Sequence, residues 1–267
     1  GFFLMLFIVA GTFAVVYGIL YVANLIHPVL RFCLETFFIY QILATKSLKT
    51  ESMKVYKKLK EGDLIGARKE VSYLVGRDTE NLDESEVAKA DVETIAENTA
   101  DGVIAPMLFI AIGGAPLGFA YKAVNTLDSM VAYKNEELIN IGFFSAKMDD
   151  ICNFIPARFA AVMLIIASLI LRFDFKGAVK IFKRDRFAHL SPNSAQTEAV
   201  AAGALQIQLG GTHNYFGKAV VKPTIGDDIR PVEYEDIKRT NQLLYVSAVL
   251  SMAVCCLITF LIYVQLF

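Results

Sequence analysis

GFFLMLFIVAGTFAVVYGILYVANLI, residues 1–26, carries no charged side chain. At about 1.5 Å per helical residue, such a run crosses a hydrocarbon core of about 30 Å with some tilt. Outward from it, residues 243–267 form a second uncharged run. Residues 154–171 form a third apolar run, whose single charge is Arg158. Residues 103–120 are also uncharged but are broken by Pro106, Gly113, Gly114 and Pro116. Non-helical backbone at membrane depth is tolerated only where protein or a cavity covers it, so this run reads as a broken or re-entrant span. Residues 29–43 are apolar with Arg31 and Glu35 one turn apart, where they can pair, and read as a second span or a membrane-surface helix.

The whole chain bears this out. Its 267 residues are 55% hydrophobic and 20% charged, with a mean hydropathy of +0.48. The expectation is an all-α, polytopic integral membrane protein, a single membrane-embedded domain over 1–267. Its spans lie near 1–26, 29–43, 103–120 (broken), 154–171 and 243–267, with polar regions at 44–102, 121–153 and 172–242. A net charge of −1 argues against nucleic acid as a partner. Four Cys form no CxxC pair and no disulfide framework. No stretch reads as strand-rich. The basic residues of 46–89 and 172–239 place both regions on the cytoplasmic face by the positive-inside rule. The first residue is Gly rather than Met, which leads us to expect a longer chain upstream.

Three polar clusters lie beside the apolar runs. Glu93, Glu97 and Asp101 recur at i, i+4 and i+8, which on one continuous helix aligns three carboxylates. Like charges so placed repel, and either a divalent cation or solvent must offset them. Asn125, Asp128 and Ser129, near Lys122, form the second cluster. Asp149, Asp150 and Asn153 form the third, suited to a hard cation or to a helix N-terminus. Arg158 opens an apolar run, where a guanidinium snorkels to lipid phosphate or clamps a substrate phosphate. Arg184-Asp185-Arg186 leads into His189-Leu-Ser-Pro-Asn193, a turn and helix start whose free amides favour an anion. Glu198 follows inside that helix. Ala201-Ala-Gly-Ala204 permits close packing, and Gly210-Gly211, Tyr215 and Gly217 read as a flexible loop.

These blocks resemble the adenosylcobinamide-phosphate synthase family of cobalamin (vitamin B12) biosynthesis, the CobD/CbiB family. The resemblance rests on Val75-Gly-Arg-Asp-Thr79, Glu93-Thr-Ile-Ala-Glu-Asn98, Asp101-Gly-Val-Ile-Ala-Pro106 and Tyr121-Lys-Ala-Val-Asn-Thr-Leu-Asp-Ser-Met130. It continues through Asp149-Asp150, Asn153, Ile155-Pro-Ala-Arg158, His189-Leu-Ser-Pro-Asn193, Ala202-Gly-Ala-Leu205 and Leu209-Gly-Gly211. Ala132 stands where Gly is commoner in the family, and the family's longer N-terminus has no counterpart here.

The resemblance implies a multi-pass inner-membrane ligase with a cytoplasmic active site. Using ATP, it would join adenosylcobyric acid to 1-amino-2-propanol or its O-phosphate. Its partners would be the corrinoid, the aminopropanol, the bilayer and other late cobalamin-pathway enzymes. ATP and Mg²⁺ are the expected cofactors, with Glu93, Glu97, Asp101, Asp149 and Asp150 as candidate metal ligands. Arg77, Asp78, Lys122, Asn125, Asp128, Arg158, Arg186 and Asn193 are candidates for substrate and phosphate. Asp149, Asp150, His189 and Glu198 are candidate catalytic groups. A transporter or channel, or a non-catalytic scaffold of the corrin pathway, remains the rival reading.

Overall fold

The structure is a computed structural model and describes residues 1–131, 139–215 and 217–266. Ala132 lies outside the described residues. Four helical stretches among those described are long and apolar enough to cross a membrane: Phe2–Ile26, Glu84–Met130, Gly142–Ile170 and Tyr234–Ile262. The all-α membrane architecture expected from the uncharged runs is therefore observed. The close contacts group the chain into two compact units rather than one body, and each is described by itself.

The first unit comprises Gly1–Ala44, Asp101–Pro156 and Met252–Phe267. Helix α1 (Phe2–Ile26) ends where His27-Pro28 breaks the chain, and the His27 imidazole accepts a hydrogen bond from Val29 N as α2 (Pro28–Ile42) starts. Phe3 and Phe7 on α1 are about four-fifths exposed, which suits a face meant for lipid. Val16 and Leu20 pack inward on Ala115, flanked by Leu34, Phe38 and Phe119. Arg31 and Glu35 pair at 3.7 Å as their spacing suggested. Helix α6 (Ala105–Val131) is interrupted at Gly113–Gly114, in the middle of the run expected to be broken. Gly114 takes φ +64°, a conformation open to glycine, and Glu35 Oε1 accepts a 3.4 Å hydrogen bond from the freed Ala115 amide.

The second unit comprises Thr45–Ala100 and Ala157–Ser251. Helix α3 (Thr45–Lys60) buries Leu48, Val55 and Leu59, the stripe its 3.6-residue period sets. Asp63 caps α4 (Leu64–Ser72) by accepting from Gly66 N, and Asp83 with Glu86 closes a capping box on α5 (Glu84–Asn98). Helices α8 (Phe175–Asp185) and α9 (Ser194–Leu205) follow, and every residue of α9 is buried. Gly203 lies so close to the Gly177 carbonyl that a Cβ there would collide with it. Strands β1 (Leu209–Tyr215) and β2 (Lys218–Ile225) form an antiparallel hairpin in which Tyr215 pairs with Lys218. The sequence reading had no strand here. α7 (Ile139–Ile170) and α10 (Tyr234–Leu266) each contribute to both units.

Candidate active site

Within the second unit, α5, α9 and the hairpin bring together groups that lie far apart in sequence. Glu93 on α5 is held at both oxygens. Oε2 lies 2.8 Å from Arg77 Nη2, and Oε1 accepts a 2.7 Å bond from Gly210 N. His213 on β1 lies against the same guanidinium, its Nε2 2.7 Å from Arg77 Nη1. Burial first, then Arg77, pushes His213 down to about 4, so its ring is neutral near pH 7 and can accept from the guanidinium. Asp78 accepts a bond from Gly217 N, which ties the loop after α4 to the hairpin turn.

One turn along α5, Glu97 Oε1 accepts a 2.7 Å hydrogen bond from Ser194 Oγ at the start of α9. Glu198 lies one turn further into α9 and is 4% exposed. Burial raises its pKa well above the ordinary value, and the charges of Glu97 and Glu93 push the same way, with Lys222 and Arg77 offsetting them. Lys222 on β2 projects to the same face as His213 and Tyr215, and its Nζ lies 5.4 Å from the Tyr215 ring centre. His189 is lowered by burial and keeps its Nδ1 as acceptor for Ser191 N. Its free-base proton is therefore on Nε2.

Arg158 and Arg186 lie close enough for their charges to repel. Arg158 Nη1 donates to Asn193 Oδ1 at 3.3 Å, and Arg186 Nε is buried with no hydrogen-bond partner among the described residues. An orphaned guanidinium nitrogen and two converging positive charges at the opening of a buried helix suit an anion. Arg184 does not join them. It pairs with Asp185 and Asp227 instead.

The first unit holds a separate amide and carboxylate cluster. Asp149 accepts from Asn153 Nδ2 at 3.0 Å and from Asn125 Nδ2 at 3.5 Å. The Tyr121 hydroxyl lies 2.7 Å from Asn153 Oδ1 and 2.9 Å from the Asp101 carbonyl oxygen. Asp128 and Lys122 lie on the same helix, α6. Asp150 turns away to Lys147 at 3.3 Å, on a more exposed face.

The expected acidic stripe is not continuous. The α-helix gives way to a π-helical turn over Thr99–Ile104, which shifts the phase of Asp101, and Asp101 falls in the first unit. Among the described residues no three His, Cys, Asp or Glu side chains converge to hold a metal ion. Glu93, Glu97, Asp101, Asp149 and Asp150 therefore do not form one metal centre built from protein ligands alone. His213, Lys222 and Ser194 join this cluster without having been candidates in the sequence. The signal for His213 and Lys222 was the alternation Thr212-His-Asn-Tyr215 and Ala219-Val-Val-Lys222 around Gly217, a hairpin pattern.

The fold is that of a polytopic helical membrane protein in which α5, α9 and the hairpin gather buried acids, histidines and cations. The model of the CobD/CbiB protein family matches residues 1–244. The chain is 55% identical over 258 residues to a cobalamin biosynthesis protein CobD of Clostridium perfringens, covering 97% of this chain and 82% of that one. It is 53% identical over 247 residues to a CobD of Streptococcus sanguinis, covering 92% and 78%. A cobalamin biosynthesis protein CbiB of Salmonella choleraesuis is 48% identical over 246 residues, covering 92% and 77%. No solved structure matches. The chain belongs to the CobD/CbiB family.

Proposed function

We propose that the second unit carries the chemistry of an ATP-dependent amide ligase that joins adenosylcobyric acid to 1-amino-2-propanol or its O-phosphate. The chain is an enzyme of cobalamin biosynthesis, an adenosylcobinamide-phosphate synthase. The observation that carries the residue-level reading is that buried Glu198 lies within the field of Glu97 and Glu93, on the helix whose first residue, Ser194, is bonded to Glu97 and whose cap, Asn193, is bonded to Arg158.

A carboxylate is a poor acyl donor because oxide is a poor leaving group. Transfer of the γ-phosphoryl group of ATP to the propionate oxygen releases ADP and leaves an acyl phosphate. The amine nitrogen then bonds to the carbonyl carbon, inorganic phosphate departs with the C–O bonding pair, and the amine proton passes to a base. Arg158, Arg186, Asn193 and the first amides of α9 hold phosphoryl oxygens as charge spreads over them. Glu198, with its raised affinity for protons, takes the amine proton, and Glu97 fixes the ammonium beforehand. His189 and Lys222 border the same pocket and orient the phosphate of the amine.

Mg²⁺ normally takes one or two carboxylates and completes its shell with substrate phosphates and water, so Glu97 would hold it with substrate phosphates while Glu198 stays free as the base. When bound, it supplies neutralisation of phosphate charge. Arg77, locked between Glu93 and His213, keeps the hairpin over this pocket. The Asn125, Asp128, Asp149 and Asn153 cluster, with Lys122, offers polar contacts to the corrinoid. Family membership and the basic composition of 172–239 support an inner-membrane location with this unit in the cytoplasm. The long polar regions and the buried acid–base pocket favour the enzyme over a transporter or scaffold.

The test is turnover. Detergent-solubilised protein with adenosylcobyric acid, ATP, Mg²⁺ and either amine should yield a corrinoid heavier by the amine less one water. Absence of that product with both amines, from folded protein, would overturn the reading.

A further inference from the structure

The first unit encloses a cavity of about 970 Å³, at the upper end of the range for small-molecule sites. Its walls come from α1, α2, α6 and the C-terminal half of α10, and three of those four contain candidate membrane spans. Tyr17, Leu20, Ile110 and Phe260 give it an apolar surface. The polar side chains Asn24, Arg31, Glu35 and Thr259 also line it. Asn24 and Arg31 both lie within a turn or so of the His27-Pro28 break that ends α1. A 25-residue helix is about as long as the hydrocarbon core plus part of the interface, so its end sits at headgroup level.

The guanidinium in this wall is only partly engaged by its carboxylate partner. Glu35 gives one oxygen to the Ala115 amide freed by the helix break and its other to Arg31 Nε at 3.7 Å. Among the described residues the Arg31 side chain has Glu35 as its sole ion-pair partner and donates no hydrogen bond, and it is 50% exposed. Its two Nη atoms form a planar fork free for a phosphate. An apolar cavity in a hydrocarbon environment, with a guanidinium at its headgroup end, matches the charge pattern of one molecule type already present around the protein.

We propose that this cavity is a binding site for a membrane phospholipid. Its acyl chains fill the apolar space between α1, α6 and α10, and its phosphate sits on Arg31. The bound lipid completes a wall that the protein leaves open. It covers the Gly113–Gly114 break, where the regular helix is interrupted and Glu35 takes the Ala115 amide. The site is independent of the ligase reading, because none of its residues belongs to the acid–base pocket.

The experiment is native mass spectrometry of the full chain, purified in a mild detergent. It is titrated in turn with a phosphatidylglycerol, with a diacylglycerol of the same chains, and with inorganic phosphate. The expected result is one retained phosphatidylglycerol per chain, weaker diacylglycerol binding and no phosphate binding. Arg31→Gln should weaken phosphatidylglycerol about tenfold and leave diacylglycerol unchanged. Ala111→Phe and Met252→Trp, which place bulk in the cavity at two separate helices, should weaken both lipids. Either variant suffices if the other fails to fold. Equal retention by the wild type and these variants would mean annular lipid only and overturns the site. So would binding of inorganic phosphate alone, or a dimer lost in the bulky variants, which would make a second copy the occupant.

Discussion

Ser194 Oγ donates a 2.7 Å hydrogen bond to Glu97 Oε1, fixing the first residue of α9 against the last turn of α5. That bond decides where Glu198 lies relative to Glu97, since Glu198 is one turn further along the same helix. The two acids are thus held at a set separation by α-helix geometry on both sides.

If Glu198 is the base, wild-type turnover rises with pH through its raised pKa, because only the ionised carboxyl accepts a proton. Glu198→Gln should lower kcat by about 100-fold and flatten that limb of the profile. Ser194→Ala should move the limb while costing only about tenfold in rate, as expected for one lost hydrogen bond to a charged group. A profile for Glu198→Gln that keeps the wild-type limb would assign it to another group.

Arg77 and Glu93 have side chains only 5% and 15% exposed. Removing one partner strands a buried charge, so Arg77→Met should destabilise the protein by about 3–5 kcal/mol. Adding Glu93→Gln should recover much of this, because glutamine neutralises the stranded charge yet still accepts from Gly210 N. Thermal unfolding of both variants in the same detergent measures the coupling. Equal losses in the single and double variants would show that the pair itself contributes little.

Asp149 and Asp150 are adjacent in sequence but differ in surroundings. Asp149→Asn turns an acceptor of two amide donors into a group that also presents N–H, leaving about 1–3 kcal/mol of unsatisfied hydrogen bonding. Corrinoid affinity should fall with it. Asp150→Asn weakens a 3.3 Å pair with the exposed Lys147 and should lower corrinoid affinity less than Asp149→Asn does. Equal effects at both positions would contradict the geometry.

Gly203→Ala should cost about 1–3 kcal/mol, because its Cβ meets the Gly177 carbonyl across the α8–α9 contact. Gly18→Ala in α1, where a Cβ meets nothing within 4 Å, should instead stabilise by about 0.5–1 kcal/mol. Opposite signs of the two melting shifts are the expected outcome.

Asp185 has a depressed pKa, caused first by the Arg184 guanidinium and aided by the Gly226 amide, against the cost of burial. Its contribution is therefore fully present above the unfolded value of about 3.9 and is lost as pH falls through the folded value. Asp185→Asn should destabilise the protein near neutrality and much less in strong acid. A difference between the two proteins that is constant with pH would remove this linkage.

The membrane helices were legible because lack of charge over some twenty residues is a strong, local signal, and the helix break announced itself in Gly113-Gly-Ala-Pro116. The Arg31–Glu35 pair followed from spacing alone. Asp101 was misplaced because a π-helical turn changes residue phase with no compositional mark. Arg184 pairs with Asp227, which is distant in sequence, and its adjacency to Arg186 says nothing about direction. His213 and Lys222 escaped notice because a two-stranded hairpin with polar tips offers only half-buried alternation, much weaker than an apolar run. The site residues on α5 and α9 were nameable, but their roles depend on which helix faces which.

Ala115, whose amide Gly114 frees, and Glu35 are eighty positions apart, yet the glycine and the acid have no meaning without each other. A Cβ at position 114 would lie 2.5 Å from the Glu35 carboxylate, and the positive φ already excludes most side chains. Losing the acid would leave the Ala115 amide bare, while losing the glycine would evict the acid. Single changes at either place are dead ends, and across descendants of this chain the two should be inherited as one character, kept together or replaced together by an unbroken helix.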